Sequence, residues 1–264
     1  MSLLQGAMAR AFLRPFYFKF AATRDDASVP NVVPILSARM MDSNTIAFVR
    51  FMAWKTAQNL EANGRVAFGC LGPWGRAYLA RGEFLGWETT GPLVEKFAAE
   101  PMYRYNAYMG ATHVGVVRVR ETMTLSAGLI APVLAARRAA GNGNAPGPMA
   151  PPVREKWRRL LTAKCLGLVD EAGEPLPIAS PGLAAESASR LSFPWPEDLR
   201  HPLCRLRPGA LLAASVFALD PVAYQVKGRF SGLSADGRHG TMEVSEVFSA
   251  APPTPGKRIF PPER

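Results

Sequence analysis

The feature that most constrains the fold of this chain is an internal repeat. The segment DDASVPNVVPI, which begins at Asp25, aligns with DEAGEPLPI from Asp170 at a shift of 145 residues. Further along, AYLARGEFLG from Ala77 aligns with AYQVKGRFSG from Ala223 at a shift of 146 residues. Because the matching segments keep their order and nearly keep their spacing, we interpret the chain as two copies of one structural unit.

The last matching segments align at a smaller shift. Gly115 aligns with Gly240 and Glu121 with Glu246, a shift of 125 residues. Residues 88–108, in which apolar residues recur at helical spacing, account for the difference. We therefore predict a helical insertion that only the first copy contains.

Each copy contains short runs of strand-forming residues separated by closely spaced turn signals. This pattern predicts a mainly β fold in which each copy forms a small barrel of antiparallel strands. The predicted first unit is residues 1–138, with the helical insertion. Residues 139–152, rich in Gly, Asn and Pro, form a linker, and residues 153–264 form a second, degenerate unit. Two such units on one chain are expected to pack as an intramolecular pseudo-dimer.

The candidate site lies in residues 45–69, which are predicted to form a buried strand, a tight loop, a short helix and another strand. The helix starts near Lys55 and Thr56, so an ammonium, a hydroxyl and free backbone amides are available to a phosphate group. The alternative is a solvated lysine beside a threonine that only caps the helix. In the second copy Lys55 aligns with Arg200, Thr56 with His201 and Asn59 with Cys204, so only the first copy keeps the set.

The net charge of +10 requires that nucleic-acid binding be considered. The arginines are spread along the whole chain, and no recognition helix, zinc finger or aromatic RNA-binding motif accompanies them. We therefore predict no nucleic-acid partner and expect the charge to favour anionic small molecules or acidic partners.

The sequence contains no apolar run of the ~20 residues that a membrane span needs, and its opening residues lack a cleavable signal pattern. The three cysteines are far apart and have no neighbouring ligands at metal-binding spacing. These observations predict a soluble cytoplasmic protein without a membrane partner, a disulfide framework or a metal site, in which the cysteines are core thiols.

Taken in order, the segments ATRDD, VPNVVPI, KTAQNLEANGRVAF and AYLARGEF resemble the FMN-binding split-barrel superfamily, the group related to pyridoxamine 5'-phosphate oxidase. The resemblance covers residues 18–125 and extends, through the repeat, over residues 160–250. It implies two split β-barrel units and FMN as the cofactor. It also implies that Lys55 and Thr56 grip the cofactor phosphate, with Asn59 and Arg50 as helpers.

The same resemblance places the flavin ring at a dimer interface, against the backbone of residues 32–35, so Val33 and Pro34 are predicted cofactor contacts. The second copy would then supply what a second subunit supplies elsewhere. Trp54 is predicted either to cover a flavin edge or to pack beneath the helix. The substrate-binding His and Arg of the oxidase have no match near the C-terminus, so the resemblance implies a flavin-binding fold more than vitamin B6 chemistry.

The predicted function is that of an FMN-binding oxidoreductase in which the flavin carries hydride or electrons between a donor, such as NAD(P)H, and an acceptor. One alternative is a non-catalytic flavin carrier or sensor, and another is a related barrel that binds haem or a deazaflavin. The number of flavins per chain and further homodimerisation stay open.

Overall fold

The structure is a computed structural model that describes residues 3–15, 17–72, 75–104, 110–126, 146–160, 162–218 and 222–262. Its first half contains α1 (Gly6–Leu13), β1 (Phe18–Arg24), β2 (Pro30–Pro34), β3 (Arg39–Asp42), β4 (Thr45–Val49), α2 (Trp54–Asn63), β5 (Arg65–Leu71), β6 (Arg76–Glu88), α3 (Pro92–Ala98), α4 (Pro101–Arg104) and β7 (Val114–Ser126). Its second half contains α5 (Pro151–Arg158), β8 (Ala163–Val169), β9 (Pro175–Ala179), β10 (Ala184–Ala185), β11 (Arg190–Pro194), a 3-10 helix (Pro202–Arg205), β12 (Leu211–Phe217), β13 (Ala223–Leu233), β14 (His239–Ser249) and β15 (Arg258–Phe260).

The strands form two antiparallel sheets with one shared topology. The first sheet has the order β2-β1-β5-β6-β7-β4-β3. The second, read in the matching direction, has the order β9-β8-β12-β13-β14-β11-β10, and β15 pairs with β14 beside it. Each strand of the first sheet thus has an equivalent in the second. The predicted fold class, mainly β with two antiparallel units, is confirmed.

The strand registers repeat as well. Thr23 lies opposite Asn31 in the first half, and Leu168 lies opposite Leu176 at the equivalent place in the second. The long central hairpins have register shifts at matching points, one of which lies at Gly82 and Gly228. A Cβ at Gly82 would lie 2.5 Å from the Arg118 carbonyl oxygen, so this glycine is structural.

Three details bear on the sequence-based expectations. Residues 29–40 form a nearly continuous apolar run whose sequence predicts a single strand, but a turn in which the Ala38 amide donates to the Ile35 carbonyl (3.1 Å) divides it into β2 and β3. The predicted insertion contains two short helices, α3 and α4, within its described part. Residues 139–145, half of the predicted linker, lie outside the described residues, so the unit boundaries at 138 and 152 stay predictions.

The two halves pack directly against each other through a shared apolar cluster. Phe20 and Val32 of the first half and Cys165, Ala179 and Ala213 of the second are all buried in it. A Cβ at Gly167 would lie 2.7 Å from the Val32 Cβ, so glycine is what allows this close approach. The interface is therefore built like a protein core. No helix among the described residues is long and apolar enough to cross a membrane.

Candidate functional site

Helix α2 begins without a side-chain cap. Its N-cap residue is Ala53, which offers no side-chain hydrogen bond, and the first helical bond runs from the Ala57 amide to the Ala53 carbonyl (2.8 Å). The helix ends at Gly64, whose left-handed φ of 67° favours glycine. The amides of the first turn carry the positive end of the helix dipole, which favours an anion there.

Lys55, in this first turn, lies at the surface and faces the β1–β2 hairpin. Its Nζ is 3.6 Å from a carboxylate oxygen of Asp25, and its side chain is 45% exposed. This geometry leaves the ammonium accessible to a ligand while one carboxylate partly neutralises it.

A second lysine, Lys227 of the other half of the chain, interacts electrostatically with Lys55. Burial lowers the pKa of Lys227 on β13, and the nearby charge of Lys55 lowers it further, while Glu246 and Asp25 act in the opposite direction. The Lys227 Nζ also lies 5.7 Å from the centre of the Phe248 ring. We name Lys55, Lys227, Asp25 and Glu246 the lysine cluster.

Sequence reasoning missed Lys227. The repeat alignment places it on Arg81, so a cation precedes the structural glycine in both copies. That coincidence is the sequence feature that points to Lys227. Its neighbour Glu246 accepts a hydrogen bond from Arg258 on β15 (3.2 Å), so one acid of the cluster has a cationic partner of its own.

Thr56 and Asn59 lie in a buried polar network rather than beside the Lys55 ammonium. Each is 1% exposed. Asn31 is the centre of this network, because its Nδ2 donates to Thr56 Oγ1 (3.0 Å) and its Oδ1 accepts from Gln225 Nε2 (3.1 Å). Asn59 Nδ2 donates to Thr23 Oγ1 (3.0 Å). The network ties the start of α2 to β1, β2 and the second half of the chain.

Val33 and Pro34 lie at the end of β2, an edge strand of the first sheet, and both are partly exposed. The preceding Val32 is buried, and its carbonyl accepts hydrogen bonds from Ser215 Oγ and Gln225 Nε2 of the second half, each at 2.6 Å. Strand β2 therefore lies at the interface of the halves, and Val33 and Pro34 are the part of it that a ligand can reach.

Arg50 and Trp54 form a third, separate group. The Arg50 guanidinium lies 5.2 Å from the Trp54 ring centre and 5.5 Å from that of Trp87. It is also 3.8 Å from Glu61, which accepts a hydrogen bond from Trp87 (2.9 Å). Trp54 is 54% exposed, so the alternative that it packs beneath the helix is wrong. Arg50 is engaged by the two indoles and Glu61 instead of facing the lysine cluster.

No group of histidine, cysteine and acidic side chains among the described residues has the arrangement of a metal site. All three cysteines are free thiols; Cys70 and Cys165 are buried and Cys204 is partly exposed. Burial raises the pKa of the Cys70 thiol to about 12, so this thiol stays protonated at neutral pH.

No family model and no curated protein matches this chain. Among solved structures, HupZ from Group A Streptococcus is 24% identical, with 42% of this chain and 87% of HupZ covered and a TM-score of 0.36. An FMN-binding protein from Syntrophomonas wolfei is 18% identical, with 41% of this chain and 76% of that protein covered and a TM-score of 0.36. A NimC/NimA family protein from Clostridium acetobutylicum is 18% identical, with 47% of this chain and 97% of that protein covered and a TM-score of 0.36. Each alignment covers less than half of this chain and most of the other protein.

Proposed function

We propose that this protein binds FMN at the lysine cluster and acts as a flavoprotein oxidoreductase. The observation that carries the proposal is the start of α2, which has no side-chain cap and holds the half-exposed Lys55 in its first turn. Lys227 of the second copy adds a charge that acts on that of Lys55. A cation and free helix amides at one place, with the charge of a second lysine acting on the first, match the chemistry of a phosphate group.

The charges at the cluster fit a bound phosphate. The pKa of Lys227 is lowered by burial and by the charge of Lys55, so a further negative charge nearby would stabilise the protonated lysine. Asp25 contacts Lys55 through a 3.6 Å ion pair that is half exposed to solvent, and a phosphate can displace such a weak contact.

Different residues would have different roles toward FMN. Lys55, Lys227 and the first-turn amides of α2 would hold the phosphate. Thr56 and Asn59 would act as positioning residues, since their buried network fixes the start of the helix. Val33 and Pro34 lie where the sequence resemblance places the flavin ring. When bound, the flavin supplies the hydride or electron transfer, so the chain needs to supply grip, orientation and access rather than an acid or a base.

A nicotinamide nucleotide is the electron donor that we propose to test first. Reduction of the bound flavin by NADH or NADPH would support catalysis, whereas tight binding without reduction by any donor would favour the carrier or sensor alternative. The three free thiols fit a reducing compartment, so cytoplasmic location is part of the proposal.

The first experiment is the visible absorption spectrum of the purified protein, with the released chromophore identified by mass. A yellow protein that releases FMN is the expected result. A protein that is colourless and takes up no added FMN would contradict the proposal. Release of haem or a deazaflavin would show that the cofactor is not FMN.

The site itself is tested by Lys55→Ala. We expect FMN affinity to fall by ~2 kcal/mol, about 30-fold, because one charge-assisted contact to the phosphate is lost. Lys96→Ala on α3, an exposed lysine in the first half, is the matched control and should leave affinity unchanged. Equal affinities in the two variants would show that the phosphate is bound elsewhere.

A further inference from the structure

A cavity of about 650 Å³ lies between the two halves, away from the lysine cluster. Strands β6 and β7 of the first half form one side, and the end of β8, the start of β9 and residues 200–210 form the other. Its volume falls in the range of ~300–1,000 Å³ that is typical of small-molecule sites.

The cavity is the repeat-equivalent of the lysine cluster. Its lining residues Arg81, Asp170 and Arg200 align with Lys227, Asp25 and Lys55, respectively. The shared strand register makes this equivalence structural, because Arg81 pairs with Glu121 as Lys227 pairs with Glu246. The lysine cluster and the cavity therefore each contain cations from both halves of the chain.

The wall of the cavity is apolar where the first site is polar. Leu168 and Leu176, both buried, line it at the positions that Thr23 and Asn31 occupy in the network of the first half. Met123 and Leu206 add further partly buried apolar surface. The amide and hydroxyl groups of that network are therefore replaced by hydrocarbon, which favours an apolar ligand body.

The rim of the cavity carries uncommitted cations. Asp170 and Glu121 are both bonded to Arg81, at 2.6 Å and 3.4 Å, so these acids are already partnered. Arg205 and Arg207 are exposed, and neither forms an ion pair with another residue that the structure describes. Glu171 is the remaining acid of the lining. An anionic group at this rim would find guanidinium donors without displacing an existing ion pair.

We propose that this cavity binds a small amphipathic anion, with a carboxylate or phosphate group at Arg205 and Arg207 and an apolar body against Leu168, Leu176 and Met123. This ligand class differs from the cofactor of the lysine cluster, because the cavity offers hydrocarbon where the network of the first half offers amides. The two sites are independent, so one can fail without the other.

Isothermal titration calorimetry of the full chain with decanoate and with decyl phosphate tests the proposal and separates the two head groups. We expect at least one of them to bind, and acetate and decanol, each lacking one half of the ligand, to bind at least tenfold more weakly. The double variant Arg205→Gln/Arg207→Gln should weaken binding of the anion at least tenfold. The control Arg10→Gln/Arg76→Gln, which removes two exposed arginines from the first half, should not.

Further measurements test whether the cavity and the lysine cluster are separate sites. Lys55→Ala should leave decanoate affinity unchanged, whatever it does to FMN. Absence of binding by both decyl probes, equal affinity in the two double variants, or binding of decanol as tight as that of decanoate would each overturn the proposal. Displacement of the bound anion by added FMN would also overturn it, because the cavity would then be a second flavin site.

Discussion

The two copies have the same strand order and register, yet their equivalent sites contain opposite chemistry. At the first site Thr23 and Asn31 of the first half and Gln225 of the second half form a buried hydrogen-bonded network beneath the lysine cluster. The equivalent positions at the second site are Leu168 and Leu176 of the second half and Leu79 of the first, which are buried in an apolar core cluster.

The helix at the site differs as well. Helix α2 has ten residues, whereas the equivalent segment is a four-residue 3-10 helix, Pro202–Arg205, capped by the His201 side chain through the Leu203 amide (3.2 Å). The leucines at the equivalent positions leave no polar network to anchor a longer helix. The comparison teaches that this β scaffold tolerates either a polar or an apolar floor, so side chains rather than topology define each site.

The largest effect is expected from Asn31→Leu, which introduces the residue of the second half into the first. The network would lose its centre: the Thr56 hydroxyl would lose the Asn31 donor, and Gln225 would keep the Val32 carbonyl but lose its Asn31 acceptor. We therefore expect the free energy of unfolding to fall by ~2–4 kcal/mol. Urea unfolding of the wild-type protein and the variant measures this change in the free energy of unfolding. Gln58→Leu, an exposed position on α2, is the control. A loss below ~1 kcal/mol would mean that the network adds little to stability.

The buried lysines Lys19 and Lys164 occupy equivalent positions, and burial lowers the pKa of each to about 8. Lys164→Met should raise the free energy of unfolding at pH 7 by ~1–3 kcal/mol, because it removes a buried charge. Between the folded pKa of about 8 and the unfolded value of 10.5 the unfolded state binds more protons. The free energy of unfolding of the wild-type protein therefore rises over this range, and the difference between the variant and the wild type should shrink.

Lys19→Met is the matched comparison for that prediction. The Lys19 Nζ donates to the Arg14 carbonyl (2.5 Å), so its removal loses a hydrogen bond and the gain should be smaller. Chemical unfolding at pH 7 and pH 10 measures both variants. An advantage of Lys164→Met that is constant from pH 7 to pH 10 would contradict the lowered pKa.

Lys227→Gln tests whether the second half completes the first site. We expect FMN affinity to fall about tenfold, ~1.4 kcal/mol, since one of two cations is removed while a hydrogen-bond donor remains. Fluorescence titration with FMN measures the change, and Lys96→Gln serves as the exposed control. Unchanged affinity would assign the phosphate to the first half alone.

The smallest effect is expected from Asp25→Asn. This change removes the carboxylate that competes with phosphate for Lys55 while its amide oxygen can still accept the Val29 N–H bond (2.9 Å) of the loop. FMN affinity should rise two- to threefold, ~0.5 kcal/mol, as for an exposed ion pair. The neighbouring, exposed Asp26→Asn should have no effect, and a loss of affinity in Asp25→Asn would argue that the carboxylate contacts the ligand favourably.

Much of the fold could be predicted because its causes are local or repeated. Turn residues at short intervals predicted strands, and the aligned motifs predicted that the two halves share one topology. The division of β2 from β3 was missed, since residues 35–38 contain no glycine and continue the apolar run. The position of Lys55 at a helix start was also predictable, within a residue of the observed start at Trp54.

The roles within the site depend on longer-range packing. Lys55 and Thr56 are adjacent in sequence, but one helical residue step turns by about 100°, so one is half-exposed and the other buried. Which face is buried depends on where Asn31 and the second half lie.

The repeat, the mainly β character, the helix start and the excess of cations follow from the order of residues along the chain, because periodicity and turn chemistry act over a few neighbours. The electrostatic interaction of Lys227 with Lys55, the buried network centred on Asn31 and the cavity beside Arg205 follow from the packing of one half on the other. These contacts join residues far apart in the chain, and their geometry arises only when the apolar faces of both sheets are buried together.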